Sequence, residues 1–365
     1  MKVLLRIPLS TYSGYGNDGI GMARAFMRMG ADVYLTPTNV QAPIPEDVAM
    51  LLTKELEAPF DLVIHHVDPA MLEADDNRAG TVQIGWTMWE YSNFKNLPGR
   101  SLLKKKLEGY DAIVGYDPIS SACFEPYFQK PILTVQGGYE PADWGFIERD
   151  FNEENFYFCM LGMLSPRKNP FAAIQAFGEL KSEDADFDKH ARLSLKTNVP
   201  GLHSAMEDVY PGLRVYYDAW PQETVKAFYA SQHVLIAPSR GEGKNMPALE
   251  FQSTGGTVIA TDWGGHQQWL NPAYNYALDY DLVPVSPKFP NTLWAEADVA
   301  HLKKLMLHCF RNRDEVARKG EIASEVIPSL AAWDNVIERL LLQIKEKVPN
   351  GSKVWDAAVM AKREA

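Results

Sequence analysis

The stretch Ala237-Pro238-Ser239-Arg240-Gly241-Glu242-Gly243-Lys244-Asn245-Met246-Pro247-Ala248-Leu249-Glu250 decides the fold of this chain. It opens at the end of a short apolar run, Val234–Ala237, which has the composition of a buried parallel strand. Two glycines follow at 241 and 243, and Asn245 with Pro247 reads as a helix start, because Pro is tolerated in the first turn. Strand, glycine loop and helix in that order aim backbone N–H groups at whatever lies beyond the strand. Glu242 sits in the loop and Glu250 one turn into the helix. Carboxylates accept hydrogen bonds from vicinal hydroxyls, so such a pair can hold two hydroxylated ends of a ligand with a diphosphate between them.

Upstream, Leu161-Gly162-Met163-Leu164-Ser165-Pro166-Arg167-Lys168-Asn169-Pro170 has the same organisation. A strand ends, a glycine turns, two cations follow and a helix begins. Cations beside a helix N-terminus suit a diphosphate. A solvated Arg-Lys pair is the plainer reading of those two residues alone. Around these stretches, apolar runs alternate with helical-period segments, which predicts βαβ units and a parallel sheet. Strands are expected at Phe156–Leu161, Arg192–Lys196, Arg214–Tyr217, Val234–Ala237 and Thr257–Ala260. Helices are expected at Pro170–Leu180, Gln222–Ala230 and Met246–Thr254.

The first half shows a similar cycle. Strands are expected at Val3–Pro8, Asp32–Leu35, Leu62–His65, Val82–Trp86, Ala112–Gly115 and Ile132–Val135, and a helix from about Asp18 to Met29 that stops at Gly30. Gly14, Gly16 and Gly19 match the G-x-G-x-x-G form that lets a backbone approach a phosphate. A nicotinamide oxidoreductase would also carry an acidic residue at the end of the second strand. Thr36-Pro37-Thr38-Asn39 stands there instead, which argues against that class.

With 365 residues, two domains are expected. The polar stretch Glu148–Glu154 reads as the linker, giving domains 1–150 and 151–330, with residues 331–365 as a last amphipathic helix (Ala332–Lys347) and a peripheral tail. The net charge of −11 disfavours a non-specific nucleic-acid binder. Cys123, Cys159 and Cys309 are odd in number and far apart, so neither a disulfide framework nor a zinc site is expected, and a reducing cytoplasmic setting fits. Met1–Ser10 reads as a first strand rather than a leader, and no apolar run reaches the ~18–20 residues of a membrane span.

These residues resemble the retaining GT-B glycosyltransferases, in particular glycosyltransferase family 4, also called group 1. Its E-x7-E motif is matched by Glu242 and Glu250, and its G-x-x-x-x-x-K element by Gly162 and Lys168. Pro166-Arg167-Lys168-Asn169, Thr87-Met88-Trp89-Glu90, Gly138-Tyr139-Glu140 and Trp333 resemble one branch of it. The resemblance implies two Rossmann-like domains facing across a cleft, with a C-terminal helix crossing back to the first. It implies a hexosyltransferase-type enzyme that moves a sugar from a UDP- or GDP-sugar. Lys168 would bind the donor phosphates, Glu242 the sugar hydroxyls and Glu250 the ribose. Gly243, Lys244, Asn245 and Met246 would line sugar and diphosphate through their backbone, with Gly162 turning the lysine loop. Gly14 and Gly16 would admit donor or acceptor, and Asp218 and Ala219 fall where the family contacts the nucleobase.

The chain departs from the family in three places. Met163 stands where many members have Arg, a charge that Arg167 is placed to supply. Lys244 and Asn245 replace apolar residues, and Trp89-Glu90 replaces a neighbourhood that often carries His. Glu90, His65 and His66 are therefore the first-domain candidates for a reacting face. No cofactor or metal is expected to be required: Asp186-Phe187-Asp188 and Asp279-Tyr280-Asp281 have D-x-D spacing but read as surface turns. The acceptor stays open between a lipid, a saccharide, a protein and a modified nucleic-acid base. Lys104-Lys105-Lys106 offers either a peripheral membrane contact or a solvated face. A second reading of the whole chain is a catalytically inactive GT-B relic that holds a nucleotide or glycan without turnover.

Overall fold

The computed structural model describes residues 1–11, 13–74, 80–163, 165–197 and 210–364, and every structural statement below concerns these. In chain order the elements are β1 (Lys2–Arg6), β2 (Pro8–Ser10), α1 (Gly14–Arg28), β3 (Asp32–Leu35), β4 (Asn39–Gln41), α2 (Glu46–Ala49), β5 (Phe60–His66), β6 (Gly80–Thr87), α3 (Arg100–Leu107), β7 (Ala112–Gly115), α4 (Pro118–Ala122) and β8 (Ile132–Thr134). Then come β9 (Phe156–Leu161), α5 (Pro170–Glu183), α6 (Ala185–His190), β10 (Ala191–Thr197), β11 (Leu213–Tyr217), α7 (Gln222–Ala230), β12 (Val234–Ala237), α8 (Met246–Ser253), β13 (Thr257–Thr261) and β14 (Tyr276–Leu278). The chain finishes with the paired strands β15 (Tyr280–Ser286) and β16 (Phe289–Ala297), then α9 (Val299–Arg311), α10 (Arg313–Ala331), α11 (Trp333–Lys347) and α12 (Gly351–Glu364).

Two compact units result. One comprises Met1–Glu140, Val285–Thr292 and Leu330–Ala365; the other comprises Pro141–Pro284 and Leu293–Ser329. The expected linker at Glu148–Glu154 lies inside the second unit. The reason is Arg149, whose buried guanidinium donates to the carbonyls of Ile147, Tyr229, Gln232 and Thr254. A charged group can stay buried only when its donors are matched in this way.

The first unit holds a parallel sheet in the order β3-β1-β5-β6-β7-β8. Val3, Leu5, Ile64, Val82, Ile84 and Trp86 build its core with α1 and α11. In α11 the buried residues Trp333, Val336, Ile337, Leu340, Leu341 and Ile344 follow the helical period, as an amphipathic helix requires. A Cβ at Gly21 or Gly138 would strike the Trp333 ring at 2.1 or 2.6 Å, so these glycines let α11 seat in the first unit. The tail is not peripheral: Val354 and Ala358 of α12 are buried in this core. Its charged residues alternate with an apolar face, which the Pro/Gly/Ser interruption before it obscured.

The second unit holds a parallel sheet in the order β11-β10-β9-β12-β13-β14. Counted along the chain, this is the doubly wound order 3-2-1-4-5-6. Strand direction of travel reverses between β9 and β12, and ligands of such sheets bind outside the carboxyl ends of the strands at that point. The loops emerging there are 162–169 and 238–245, the two stretches on which the sequence reading rests.

Candidate active site

The loop after β9 begins at Gly162, whose φ of 133° is open to glycine alone, and whose N–H donates to the Lys196 carbonyl at 3.1 Å. Leu164 lies outside the described residues. Pro166–Lys168 makes one tight turn, and Asn169 takes a left-handed conformation (φ 53°) immediately before Pro170 opens α5. The loop after β12 ends the same way: Asn245 is left-handed (φ 62°) and α8 follows with Pro247 in its first turn. Neither asparagine caps its helix through its side chain. Pro170 and Pro247 carry no N–H, and the Ala172 and Ala248 N–H groups bond back to the Asn169 and Asn245 carbonyls, so Phe171 and Met246 are the first-turn N–H groups that an anion in front of these helices could take.

Glu242 is buried between two cations. Lys168 Nζ lies 2.5 Å from Oε1 and Arg167 Nη1 3.2 Å from Oε2. Burial alone would push this carboxyl up, but the Lys168 and Arg167 cations outweigh it and hold it at about 2. Glu250 has the opposite environment. Burial pushes it up to about 7, against a hydrogen bond donated by the Tyr229 hydroxyl at 3.1 Å and the attraction of Lys244. Two carboxylates on one loop–helix segment therefore differ in charge near neutrality.

A third loop, after β13, braces the second, and no sequence motif pointed to it. Gly265 N–H donates to the Glu242 carbonyl at 2.9 Å, and a Cβ at Gly265 would lie 2.0 Å from the Gly243 oxygen. His266 is fully buried. Its Nδ1 stands 2.8 Å from the Thr261 carbonyl, so it donates there, and Nε2 accepts from the Asn245 amide at 3.0 Å. Burial pushes His266 down, which keeps that acceptor available. Trp269 Nε1–H donates to the Lys244 carbonyl at 2.7 Å. The detectable signal was Trp263-Gly264-Gly265-His266 directly after an apolar run, the same strand-then-glycine arrangement as in the other two loops.

Residues 155–282 match the family model described as glycosyl transferases group 1. This span contains all three loops and both carboxylates. The span is similar to a group 1 glycosyl transferase domain. A stretch of 116 residues is 30% identical to D-inositol 3-phosphate glycosyltransferase of Corynebacterium efficiens; it covers 29% of this chain and 27% of that protein, so the chain matches just over a quarter of this relative's length. Among solved structures, sucrose-phosphate synthase of Thermosynechococcus elongatus superposes with a TM-score of 0.65 over 94% of this chain and 98% of its own, at 11% identity. The Anabaena protein HepE, in complex with UDP-glucose, superposes with a TM-score of 0.63 over 95% and 100%, also at 11% identity. These likenesses establish the GT-B fold.

In the matched span, Arg167, Lys168, Glu242, Gly243, Lys244, Asn245, Met246 and Glu250 are gathered on the loops after β9 and β12 and on the helix that follows the second. Met163 is largely exposed, and Arg167 contacts Glu242 and the Gly241 carbonyl. Asp218 and Ala219 follow β11, two strands from β9 and roughly 10 Å away at ordinary strand spacing. Asp218 accepts the N–H of Ala219 and is otherwise exposed. Asp186 and Asp188 lie on α6 beyond the amino end of β10, and Asp279 pairs with His301. Among the described residues, no group of three His, Cys, Asp or Glu is placed to hold a metal ion.

The first unit corrects several expectations. Helix α1 begins at Gly14, four residues early, because Ser13 Oγ accepts the Gly16 N–H at 3.1 Å. A Cβ at Gly16 would sit 2.5 Å from Ser10 atoms, and one at Gly19 would sit 2.2 Å from the Pro8 carbonyl. These two glycines are filled against β2, so Gly16 serves packing; Gly14 faces open space. His66 is buried, 2.9 Å from the Trp86 carbonyl and 3.2 Å from the Tyr116 hydroxyl. His65 bonds the Tyr110 hydroxyl at 2.6 Å. Both histidines are held by neighbouring groups of the first unit. Glu90 is half-buried just beyond β6, close enough to push the Tyr15 hydroxyl up after burial has done most of that work. On α3, Lys104 and Lys105 are exposed while Lys106 lies 3.6 Å from Glu73. Among the described residues, no helix is long and apolar enough to cross a membrane.

Proposed function

We propose that the chain transfers a hexosyl group from a UDP- or GDP-sugar to an acceptor hydroxyl with retention of anomeric configuration. The observation that carries this reading is the buried Glu242 held between the half-buried Lys168 and Arg167 at the sheet's switch point, between two helix N-termini that their asparagines do not cap through the side chain. A nucleoside diphosphate leaving group needs cations and amides. A sugar needs a carboxylate for its hydroxyls.

In this reading the incoming diphosphate takes Lys168 from Glu242, and Glu242 turns to the sugar hydroxyls. Neither charge is left bare by the exchange, so the buried pair stores binding groups at small cost. The bond between C1 and the β-phosphate oxygen breaks with its electron pair going to the phosphate. Lys168, Arg167 and the amides of α5 and α8 stabilise that charge. The acceptor oxygen bonds C1 from the same face, and its proton passes to the leaving phosphate oxygen. Glu250 holds the ribose and Lys244 adds positive charge beside it. The UDP-glucose complex of HepE is in keeping with such a donor on this fold.

The test is incubation with UDP-glucose, UDP-N-acetylglucosamine, GDP-mannose and related donors, with nucleoside diphosphate release and the anomeric coupling of product as readouts. Release with a retained anomer supports the reading. Binding without release from any donor would instead support the inactive relic.

A further inference from the structure

Glu296, on β16, joins the two phosphate-facing loops. Its Oε2 accepts from Arg240 Nε at 2.6 Å and its Oε1 from Arg240 Nη2 at 2.8 Å, the two-pronged geometry that fixes a guanidinium plane. The same Oε1 accepts from the Asn169 side-chain amide at 3.0 Å. Arg240 in turn reaches the other loop twice: its N–H donates to the Arg167 carbonyl at 2.7 Å and its Nη1 to the Pro166 carbonyl. The Ala295 N–H donates to the Arg240 carbonyl at 2.9 Å, so β16 runs beside the second loop. Asn169 is the residue whose left-handed conformation sets the start of α5, directly after Lys168. A non-glycine residue keeps that conformation when surrounding contacts over-determine it.

We infer that Glu296 is a positioning residue for diphosphate binding: through Arg240 and Asn169 it fixes Lys168 and the first amides of α5 relative to the loop of Glu242. This rests on the donor-binding reading above. Glu296 contacts neither Lys168 nor Glu242 in the bonds described, and it reaches the two loops through Asn169 and Arg240.

The experiment compares UDP, GDP and the corresponding monophosphates by calorimetry on the full chain and on Glu296→Gln and Glu296→Ala, with thermal melts alongside. The expected result is a loss of about tenfold or more in diphosphate affinity for Glu296→Ala, as befits lost hydrogen bonds to charged groups, and a smaller loss for Glu296→Gln. Monophosphate affinity should be nearly unchanged, so the preference for the diphosphate falls. A merely structural role would lower the melting temperature and leave that preference intact, overturning the inference. So would tighter diphosphate binding in Glu296→Gln, which would make Glu296 only a counter-charge for Arg240. If Glu296→Ala does not fold, Glu296→Gln alone decides. Wild-type protein that binds neither UDP nor GDP would overturn the donor-binding reading itself, and the inference with it.

Discussion

Lys168 Nζ lies 2.5 Å from Glu242 Oε1, and both side chains are largely shielded from water. Removing one member of a buried pair leaves the other charge poorly compensated, although Arg167 remains as a second cation for Glu242. Lys168→Met should therefore cost about 2 kcal/mol, or about 4–8 °C in the melting temperature of a domain of this size. Neutralising both partners in Lys168→Met/Glu242→Gln should recover most of that loss. It should recover none of the nucleoside diphosphate release, because both groups are assigned to the donor. Melting curves and release assays on the two variants separate the effects; a double variant that regains release would refute the assignment.

The low position of Glu242 gives the fold an acid limb. Its carboxyl is held at about 2 in the folded chain and returns to about 4.3 in an unfolded one. The unfolded state then binds the proton first as pH falls. The stability Glu242 contributes is fully present above its unfolded value and is lost as pH drops from about 4.5 toward 2. The difference is worth roughly 3 kcal/mol. Urea unfolding at pH 3, 4, 5 and 6 should show a steeper acid loss in wild type than in Glu242→Gln. Parallel curves would show that the cations do not hold Glu242 ionised.

Glu250 has the reverse sign. Burial raises it to about 7, so between about 4.5 and 7 the folded chain holds a proton that the unfolded chain has released. Stability should fall with rising pH across that window and level off above it, and Glu250→Gln should flatten the slope. Donor binding should move the other way, because an ionised carboxylate accepts more strongly from ribose hydroxyls. The KM for a nucleotide sugar, whose diphosphate does not titrate there, should fall between pH 6 and pH 8 in wild type and stay flat in Glu250→Gln. A wild-type KM unchanged over this range would remove Glu250 from the ribose.

The two loops at the switch point were legible because their chemistry is local: glycines, cations and a helix start lie within a dozen residues of each strand. What sequence left dark depends on distant pairings. His266 matters because it accepts from Asn245 and donates to Thr261, and Glu296 because it meets Asn169 and Arg240 across 127 and 56 residues. Glu296 carries no mark in its own neighbourhood, and the glycines beside His266 mark a turn without naming the asparagine it meets. Glu148–Glu154 read as a linker because nothing near Arg149 in sequence reveals the carbonyls of Tyr229, Gln232 and Thr254. The glycines of the first turn were visible, but not what each one faces. A sequence motif records that a backbone approaches closely without recording whether the visitor is a ligand or another strand.

Gly14 and Gly16 test that distinction directly. They stand two residues apart at the start of α1, yet a Cβ at Gly14 meets nothing within 4 Å while one at Gly16 would sit 2.5 Å from Ser10 N, O and Cβ. Gly16→Ala must push α1 away from β2 and should cost about 1–3 kcal/mol, the usual range for overpacking. Gly14→Ala has no such clash and gains helix propensity, so its melting temperature should hold or rise slightly. If a substrate approaches this turn, the same methyl group should obstruct it and lower turnover by about tenfold or more, which is about 1.4 kcal/mol of lost transition-state stabilisation. Melts and turnover of the two variants give four numbers. A stable Gly14→Ala with reduced turnover makes the turn part of the site. A stable Gly14→Ala with full turnover restricts the role of this glycine turn to packing α1 against β2.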